Sequence, residues 1–380
     1  MLPRLRRLWL TAHRWMALSL GWILILSGLT GAILVVAQPV NKWAHPELFV
    51  AQTQPGPEAQ WAPLQPILTA LRSQFGPEAS LAFNPPKTPG SSLEVMVRGQ
   101  WRGSVYFDPY TGVEQGRRGE TEGFFNALFK LHSSLWMQSA GKALLAWVAL
   151  IYAALLISGV VLWWPRKWPP KWKPELKKGV LRALFDVHRT FGVLLGVVIL
   201  VSVLTGAYMA WRPLGGAINW VVGATAVKLP GRSEHATADM PLVNIDRIVV
   251  TARRAYPEGV ISRIQIPVDP GSLIRVRFKL PDDPHPNGLT SAWIDPVTAG
   301  IVKQARWTEL DPGTRATSVI YPLHSGILGG ALLEAVVALG GLMLATIGAS
   351  GIWLWWRRRS VSRAQKASRE TPGTRSVTTR

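Results

Sequence analysis

The sequence contains no cysteine among its 380 residues. Disulfide bonds, thiolate zinc sites, iron–sulfur clusters and cysteine nucleophiles are therefore excluded, and so is covalent haem attachment through a CxxCH motif. Acidic residues are also scarce, because 22 Asp and Glu stand against 42 Lys and Arg, for a formal net charge of +20. Histidine occurs only seven times, so any repeated placement of histidine is informative.

Charged residues are largely missing from four long apolar runs, at about residues 15–37, 143–164, 190–211 and 335–356. Each run is close to the ~20 residues that a helix needs to cross a bilayer core. The overall composition agrees, since 48% of the residues are hydrophobic and 19 are Trp. The sequence therefore predicts a mainly α membrane protein with four transmembrane helices. The first run is too long for the core of a signal peptide, so we expect it to remain in the protein.

The positive charge is concentrated between these runs. Residues 1–14, 165–189 and 357–380 hold 20 of the 42 basic side chains but only three carboxylates. The positive-inside rule places these segments, and with them both chain termini, in the cytoplasm, and the two large intervening segments outside. The basic residues are then topology signals that contact lipid headgroups, and we expect no nucleic-acid partner.

The first apolar run recurs in the sequence. "HRWMALSLGWILILSGLTGAILVV" begins at His13, and "HRTFGVLLGVVILVSVLTGAYMAW" begins at His188. The two segments align without a gap, and their identities include six polar or glycine positions: His13, Arg14, Gly21, Ser27, Thr30 and Gly31 match His188, Arg189, Gly196, Ser202, Thr205 and Gly206. Identities at one fixed offset indicate an internal duplication.

The other two runs also match each other. "LHSS" at Leu131 aligns with "LHSG" at Leu323, so His132 is equivalent to His324. Later in the same alignment, Ser158-Gly159 matches Ser350-Gly351, and both segments end in Leu-Trp-Trp before basic residues. Trp at that position is typical of a membrane interface.

The intervening segments repeat more weakly. "YFDPYTGVEQ" and "WIDPVTAGIV" each predict a strand that enters a tight turn, at Asp108 and Asp295. Alternating apolar residues predict hairpins over 92–108 and 262–280, and helices are expected around 64–75 and 244–256. Each intervening segment is thus predicted to be a small α+β domain.

The predicted architecture is one unit used twice in parallel, related by a pseudo-two-fold axis along the membrane normal. The first unit consists of a cytoplasmic N-terminus with the first transmembrane helix (1–37), an exterior α+β domain (38–130), and an exterior helix extension with the second transmembrane helix (131–164). A basic cytoplasmic loop (165–187) joins it to the second unit, which consists of the third transmembrane helix (188–211), a second exterior domain (212–322), and a helix extension with the fourth transmembrane helix (323–356). A basic cytoplasmic tail (357–380), expected to be disordered, follows.

Such symmetry would bring His13 to His188 near the cytoplasmic face and His132 to His324 near the exterior face. Two facing imidazoles can be the axial ligands of a b-type haem, so we expect two haems, with Arg14 and Arg189 available to pair with haem propionates. The alternatives are interfacial or capping histidines, arginines that only anchor helix ends, and glycines that only pack helices. On one continuous helix, His132 would lie ~15 Å outside the hydrocarbon.

The "HRW…SGLTGAILV" opening, "LHSSL", the "DPxTG" turn and the second "HR" helix resemble the PepSY-associated transmembrane proteins. The resemblance covers about residues 1–360 and implies a bacterial inner-membrane protein with four helices and periplasmic PepSY-like domains. The family includes iron-regulated proteins and haem-b ferric-siderophore reductases. By this resemblance, the candidate axial ligands are His13, His132, His188 and His324. Some relatives carry a C-terminal flavin domain, whereas this chain ends in a basic tail.

The resulting hypothesis is an inner-membrane oxidoreductase that takes electrons from a cytoplasmic reductase or a quinol. It would pass them to a periplasmic acceptor, with a ferric siderophore as the expected substrate. A non-redox PepSY protein that binds or regulates periplasmic peptidases is the first alternative, and an accessory or transport protein for siderophore uptake is the second. Only the first hypothesis requires the four histidines.

Overall fold

The computed structural model describes residues 3–53, 60–165, 177–211, 213–222, 231–237 and 244–370, together with 168, 169, 172, 173 and 175. The chain forms two compact units. One, the helical unit, takes its residues from Met1–Ala32, Leu144–Ala207 and Val336–Arg380, and the other, the sheet unit, from Ile33–Ala143 and Tyr208–Ala335. Part of the predicted basic loop 165–187 and the end of the predicted tail lie outside the described residues.

The described residues form helices and strands in the order that follows. The helices are α1 (Pro3–Val35), α2 (Ala37–Ala44), α3 (Pro46–Phe49), α4 (Leu64–Phe75), α5 (Phe124–Ser134), α6 (Gln138–Trp163), α7 (Val180–Leu194), α8 (Gly196–Ala210), α9 (Pro213–Val222), α10 (Ile245–Ala255), α11 (Pro312–Ser318), α12 (Ile320–Ser325) and α13 (Gly330–Glu370). The strands are β1 (Ser80–Asn84), β2 (Leu93–Arg98), β3 (Arg102–Phe107), β4 (Glu114–Gly119), β5 (Val260–Ile266), β6 (Ile274–Lys279), β7 (Thr290–Ile294) and β8 (Ile301–Ala305).

Three helices of the described chain are long and apolar enough to span a membrane, over Arg4–Val35, Gln138–Trp163 and Ile327–Ser360. A fourth candidate is the pair α7 and α8, which bends by 65° at Leu195. The sequence predicts one unbroken helix at this position, and the bend falls between two glycines, Gly192 and Gly196, which weaken a helix locally. Helix α13 continues to Glu370, beyond the predicted end at residue 356.

Helices α1 and α13 of the helical unit are in backbone contact. A Cβ atom added to Gly28 would lie 2.5 Å from the carbonyl oxygen of Gly341, and one added to Gly341 would lie 2.6 Å from the carbonyl oxygen of Gly28. No larger side chain fits at either position, so this crossing uses glycine in the way that membrane helices commonly do. For Gly28, helix packing is therefore the observed role.

The sheet unit contains one antiparallel sheet of eight strands, in the order β4-β3-β2-β1-β5-β6-β7-β8. The two predicted hairpins are the pairs β2–β3 and β5–β6. The strands of the two weakly repeated segments join where β1 pairs with β5, and Leu81 lies opposite Ile266 there. The α+β segments that the sequence predicts as separate domains thus share one sheet.

Helices α4 and α10 pack against one face of this sheet through an apolar core. The buried side chains of the helices include Leu64, Ile67 and Leu71 of α4 and Ile245, Ile248 and Ala252 of α10. The second residue of each helix caps the other helix. The carboxylate of Asp246 accepts hydrogen bonds from the backbone N–H groups of Leu64 (2.7 Å) and Gln65 (3.1 Å), and the Oε1 of Gln65 accepts one from Ile245 N–H (2.8 Å). These acceptors satisfy donors that a helix N-terminus leaves without partners.

The helices that carry His132 and His324 are short and separate from the long apolar helices. Helix α5 ends at Ser134, and Leu135 and Trp136 then take positive φ angles of 49° and 61° before α6 begins. After α12, Gly326 and Gly330 take positive φ angles of 84° and 60° on either side of a 3-10 turn. The helix is therefore interrupted at both places where the sequence predicts a continuous helix extension.

Candidate functional site: two histidine pairs

The first pair lies in the helical unit, where α1 supplies His13 and α7 supplies His188. The two imidazole ring centroids are 6.4 Å apart and the ring planes are nearly perpendicular, at 85°. Both side chains are half-buried. The structure thus brings together two histidines that occupy equivalent positions in the aligned segments.

Hydrogen bonds at Nδ1 determine which nitrogen of each ring carries the proton. The Oγ of Ser158 lies 2.8 Å from His13 Nδ1 and donates its own proton to the carbonyl oxygen of Leu155 at 2.7 Å. The Oγ of Ser158 and the carbonyl oxygen of Leu155 are therefore both placed to accept from His13 Nδ1–H. His188 Nδ1 lies 3.2 Å from the carbonyl oxygen of Ile347, which can only accept. In both rings these acceptors favour the tautomer with the proton on Nδ1, which leaves the lone pair of Nε2 for a ligand or metal.

Glycines lie against the edges of both rings. A Cβ atom added to Gly159 would lie 3.6 Å from His13 Cε1, and one added to Gly351 would lie 3.5 Å from His188 Cε1. These distances are ordinary van der Waals contacts, so alanine would fit and a larger side chain would push against the ring. Gly192, one turn after His188 on α7, has no atom of the described chain within 4 Å of its missing Cβ, so this side of the helix is open.

The second pair lies in the sheet unit, where α5 supplies His132 and α12 supplies His324. Their ring centroids are 6.2 Å apart and the planes are tilted by 45°. Both side chains are half-buried. These two residues also occupy equivalent positions in the sequence alignment, so the two pairs follow the same pattern.

The ring spacing of both pairs matches that of two imidazoles on one metal ion. A metal–imidazole bond is about 2.0–2.1 Å and a ring nitrogen lies about 1.1 Å from its centroid, so two opposed ligands would place their centroids about 6.3 Å apart. In the described chain, no three His, Cys, Asp or Glu side chains come together to hold a bare metal ion. Two opposed imidazoles instead suit a metal whose other four positions are filled by a macrocycle, as in haem. The donor set and the spacing therefore fit haem.

The two arginines beside the first pair differ in their surroundings. Arg14 is exposed, and its guanidinium lies 5.8 Å from the ring centroid of Trp15. Arg189 is half-buried, and its NH2 group lies 3.7 Å from Oδ1 of Asp186, a buried carboxylate one turn earlier on α7. Asp186 also accepts a hydrogen bond from Arg182 at 2.9 Å. The predicted role of Arg14 and Arg189 in binding propionates stays a prediction.

The two Asp-Pro turns have a structural role in the sheet unit. Burial alone would raise the pKa of Asp108, but hydrogen bonds from the backbone N–H groups of Thr53, Tyr110 and Thr111 outweigh it and lower the pKa. Burial opposes a low pKa for Asp295 too, and hydrogen bonds from Ser233 Oγ and two backbone N–H groups again lower it. Both carboxylates hold turns closed.

The geometry defines a class of protein: an apolar helical unit able to enter a membrane, joined to a single β-sheet unit, with one close pair of imidazoles in each. A comparison with protein families identifies the family. The family described as PepSY-associated TM region matches residues 10–358, nearly the whole chain, and the protein belongs to this family. A search of curated proteins finds no match to the chain.

Sequence reasoning identified both histidine pairs but gave no role to the groups that orient them. Ser158 and Gly159 belong to a repeated Ser-Gly dipeptide, and this repetition was the available signal. The structure adds that the dipeptide contacts the histidine of another helix, 145 residues away in the chain. For His188, the orienting group is the backbone carbonyl of Ile347, which leaves no signal in the sequence.

Proposed function

We propose that this protein is a haem-b electron-transfer protein of the bacterial inner membrane, which delivers electrons to a periplasmic acceptor and reduces a ferric siderophore. The observation that supports this proposal is the ring spacing of 6.4 and 6.2 Å in two histidine pairs whose members are equivalent in sequence. A single close pair is common in proteins, but two pairs that share both spacing and sequence equivalence point to a repeated use.

In this proposal His13 and His188 would hold one haem, and His132 and His324 would hold another. Haem iron with two imidazole ligands changes between the ferric and ferrous states and so carries one electron at a time. The other residues of the helical unit orient the ligands. Ser158 and the carbonyl of Ile347 keep Nδ1 protonated, which raises the basicity of Nε2 and fixes the ring direction.

The proposed topology follows from the charge distribution. Residues 1–14, 165–189 and 357–380 carry most of the net positive charge, so both termini and the central loop face the cytoplasm, and the sheet unit faces the periplasm. The four apolar segments cross the bilayer, with α7 and α8 together as one bent span. Arg14 and Arg189 then lie towards the cytoplasmic side, where they would pair with haem propionates.

The redox balance is simple. One electron converts one ferric ion to ferrous, so a quinol donor would serve two ferric ions and release two protons, whereas a cytoplasmic reductase would supply the electrons from its own cofactor. Ferrous iron binds hard oxygen ligands less tightly because its charge is lower, so reduction releases it from the siderophore. No protein side chain has to act as a general acid or base.

The test is a reduced-minus-oxidised visible spectrum of the purified protein with a pyridine haemochrome assay. We expect a b-type spectrum with about two haems per chain, and loss of about one haem in each of His188→Ala and His132→Ala. The matched control is His45→Ala, because His45 is an exposed histidine of the sheet unit that contacts Glu47. The purified protein should also reduce ferric siderophores when it is supplied with a reductant.

A colourless, folded protein, expressed with haem available, would overturn the electron-transfer proposal. The non-redox alternatives, regulation of periplasmic peptidases and assistance in siderophore uptake, would then gain support, because both predict that the four histidines are dispensable. Full haem content in both alanine variants would separately reject these ligands while keeping the cofactor.

A further inference from the structure

One half of the sheet carries a group of cationic side chains on the face opposite α4 and α10. In β5 and β6 the residues Ile264, Val276 and Phe278 point into the core, so the alternate residues point to the other face. These alternate residues are half-buried. Together with Lys87, which follows β1, they form what we call the cationic face: Lys87, Arg263, Arg275, Arg277 and Lys279.

These positive charges lie close to one another. Arg263 and Arg277 are directly opposite in the β5–β6 pairing, an arrangement that is unfavourable for like charges. Burial lowers the pKa of Arg277 to about 10, and the nearby Arg275 and Arg263 lower it further in the same direction. Burial is also the main cause of the lowered pKa of Lys87, to which Arg263, Arg277 and Lys279 contribute.

Glu94 and Asp283 offset part of the charge of this face without forming ion pairs with it. Among the described residues, no carboxylate oxygen lies within 4.0 Å of a charged nitrogen of the five cations. The two nearest acids have other partners. Glu94 accepts hydrogen bonds from Asn84 (3.1 Å) and Ser104 (2.6 Å), and Asp283 accepts backbone N–H groups of its own loop.

The cations instead donate mainly to neutral oxygens. Arg275 Nε donates to Ser291 Oγ at 3.0 Å, and Arg263 Nε donates to Asn84 Oδ1 at 2.8 Å. Arg277 donates to the carbonyl of Gly288, while its Nε is buried and has no hydrogen-bond acceptor within the described chain. An unsatisfied buried donor costs free energy, which an anionic acceptor would recover.

The equivalent strand in the other half has one of the three cations of β6, since Arg98 corresponds to Lys279, and lacks the other two. Strands β2 and β6 each have six residues with alternating burial, so they can be compared position by position. Glu94 and Met96 of β2 correspond to Arg275 and Arg277 of β6. The fold therefore does not require cations at these positions, and their charge has to serve another purpose.

The cationic face adjoins the helix that carries His324. The loop after β6 includes His285, whose pKa is lowered to about 4 by burial and by the positive charges of Arg277, Lys87 and Lys279, against the opposing effect of Asp283. The ring of His285 packs against Tyr321 with centroids 5.9 Å apart. Tyr321 is one turn before His324 on α12. The loop beside the cationic face thus contacts, through His285 and Tyr321, the helix that carries His324.

We propose that the cationic face binds a small polycarboxylate anion, which would make an anionic ferric polycarboxylate the acceptor class of this protein. The assignment of an acceptor rests on the proposed electron-transfer function, whereas anion binding does not. Neighbouring strands are about 4.8 Å apart and same-face residues about 6.7 Å apart along a strand, so several carboxylates on one small molecule match these cations. Arginine guanidinium groups also favour the planar carboxylate.

The test uses metal-free citrate as the probe and calorimetric titration of the full-length protein in a neutral detergent. We expect saturable binding that weakens with added salt, and no binding of the neutral triethyl ester of citrate. Arg277→Gln and Lys87→Gln should each weaken citrate binding at least about tenfold, the effect of one lost charge-assisted hydrogen bond. Lys87 lies outside the strands and outside the apolar core, so its substitution leaves the sheet core intact even where Arg277→Gln impairs folding. The matched control is Arg254→Gln, an exposed arginine of α10, which should bind citrate as the unaltered protein does.

Equal citrate affinity in Lys87→Gln, Arg277→Gln and the unaltered protein would overturn the proposal, and so would the absence of citrate binding. The titration is repeated in nanodiscs with and without phosphatidylglycerol, because a lipid headgroup presents similar oxyanions. Displacement of citrate by that lipid would reassign the face to the membrane surface. The outcomes are separate from those of the haem test: a colourless protein that binds citrate keeps the anion site, and a haem-loaded protein that does not bind citrate loses only the anion site.

Discussion

The two aligned halves of the chain agree in some chemical features and differ in others. Both halves place a histidine against a Ser-Gly dipeptide, and both close the same kind of Asp-Pro turn. Both histidines have an equivalent backbone carbonyl beside the ring, Leu155 for His13 and Ile347 for His188, and the halves differ in that Ser158 Oγ also lies within hydrogen-bond distance of His13 Nδ1. They also differ in the charge of the exposed sheet face. Shared features belong to the parts that both halves need, and the cationic face belongs to something bound on one side only.

The largest expected effect comes from filling the glycine positions beside the rings. Gly159→Leu and Gly351→Leu should each lower haem occupancy of the first pair at least about tenfold, because the larger side chain displaces an imidazole from a fixed geometry. Haem per chain should fall from about two to about one in either variant, measured by the haemochrome assay. Gly159→Ala and Gly351→Ala are the controls and should keep full haem content, since a Cβ at 3.6 or 3.5 Å fits. Full occupancy in the leucine variants would show that the rings are not held there.

A smaller effect should distinguish the two halves. Ser158→Ala removes a side-chain acceptor for His13 Nδ1–H and should weaken haem binding about 10–100-fold, the usual effect of losing a group that orients a ligand. Ser350→Ala is the matched variant. Ser350 Oγ donates to the carbonyl of Ile347, and it is this carbonyl, not the hydroxyl, that lies beside His188 Nδ1. Its haem affinity should change by less than about threefold. The measurement is haem titration into apoprotein, and equal losses in both variants would contradict the assigned difference.

The capping residues of α4 and α10 offer a comparison by stability. Asp246→Ala should lower the free energy of unfolding by about 1–2 kcal/mol, because two backbone N–H groups at the start of α4 lose a charged acceptor. Gln65→Ala should cost about 1 kcal/mol, since one neutral hydrogen bond is lost. Thermal unfolding of the full-length protein measures both. Asp246→Asn keeps an acceptor and should lie between Asp246→Ala and the unaltered protein; no difference among the three would reject this cap.

The smallest expected effect is a pH dependence that comes from His285 of the second half. The pKa of His285 is lowered to about 4 in the folded protein, against an ordinary value of 6.5. The unfolded chain therefore binds more protons between these values, so the stability from neutral His285 is complete above pH 6.5 and is lost as the pH falls towards 4. Because the ring is only half-buried, we expect about 1 kcal/mol from this residue. His285→Gln should reduce the fall of the unfolding temperature between pH 7 and pH 4.5, and an unchanged fall would contradict this pKa.

Local patterns in the sequence predicted local structure well. Helix α4 has the bounds expected from the sequence, and the two hairpins form where alternation predicts them. The pairing of distant histidines was also predictable, because the aligned segments carry these histidines at equivalent positions. In each case the signal is a period or an offset that the residues themselves display.

Features that depend on tertiary contacts were not predictable. Leu135 and Trp136 adopt positive φ angles, which bulky residues rarely do, so nothing local signals the break between α5 and α6. The 65° bend between α7 and α8 occurs inside a uniformly apolar run. The pairing of β1 with β5 joins strands that are far apart in sequence, and alternation alone does not select a partner for either strand.

The central β1–β5 pairing has a consequence for how the protein arose. A single half of the chain would end its sheet at β1, with an open row of backbone donors and acceptors that favours association. Antiparallel pairing of that edge with the same edge of another copy is the self-complementary contact of a two-fold dimer, and it yields a continuous sheet of the kind observed. Fusion of two such copies into one gene makes the contact permanent and frees each copy to acquire different surface residues. Arg275 and Arg277, where the other half has Glu94 and Met96, are the kind of divergence that a homodimer, with identical subunits, could never evolve.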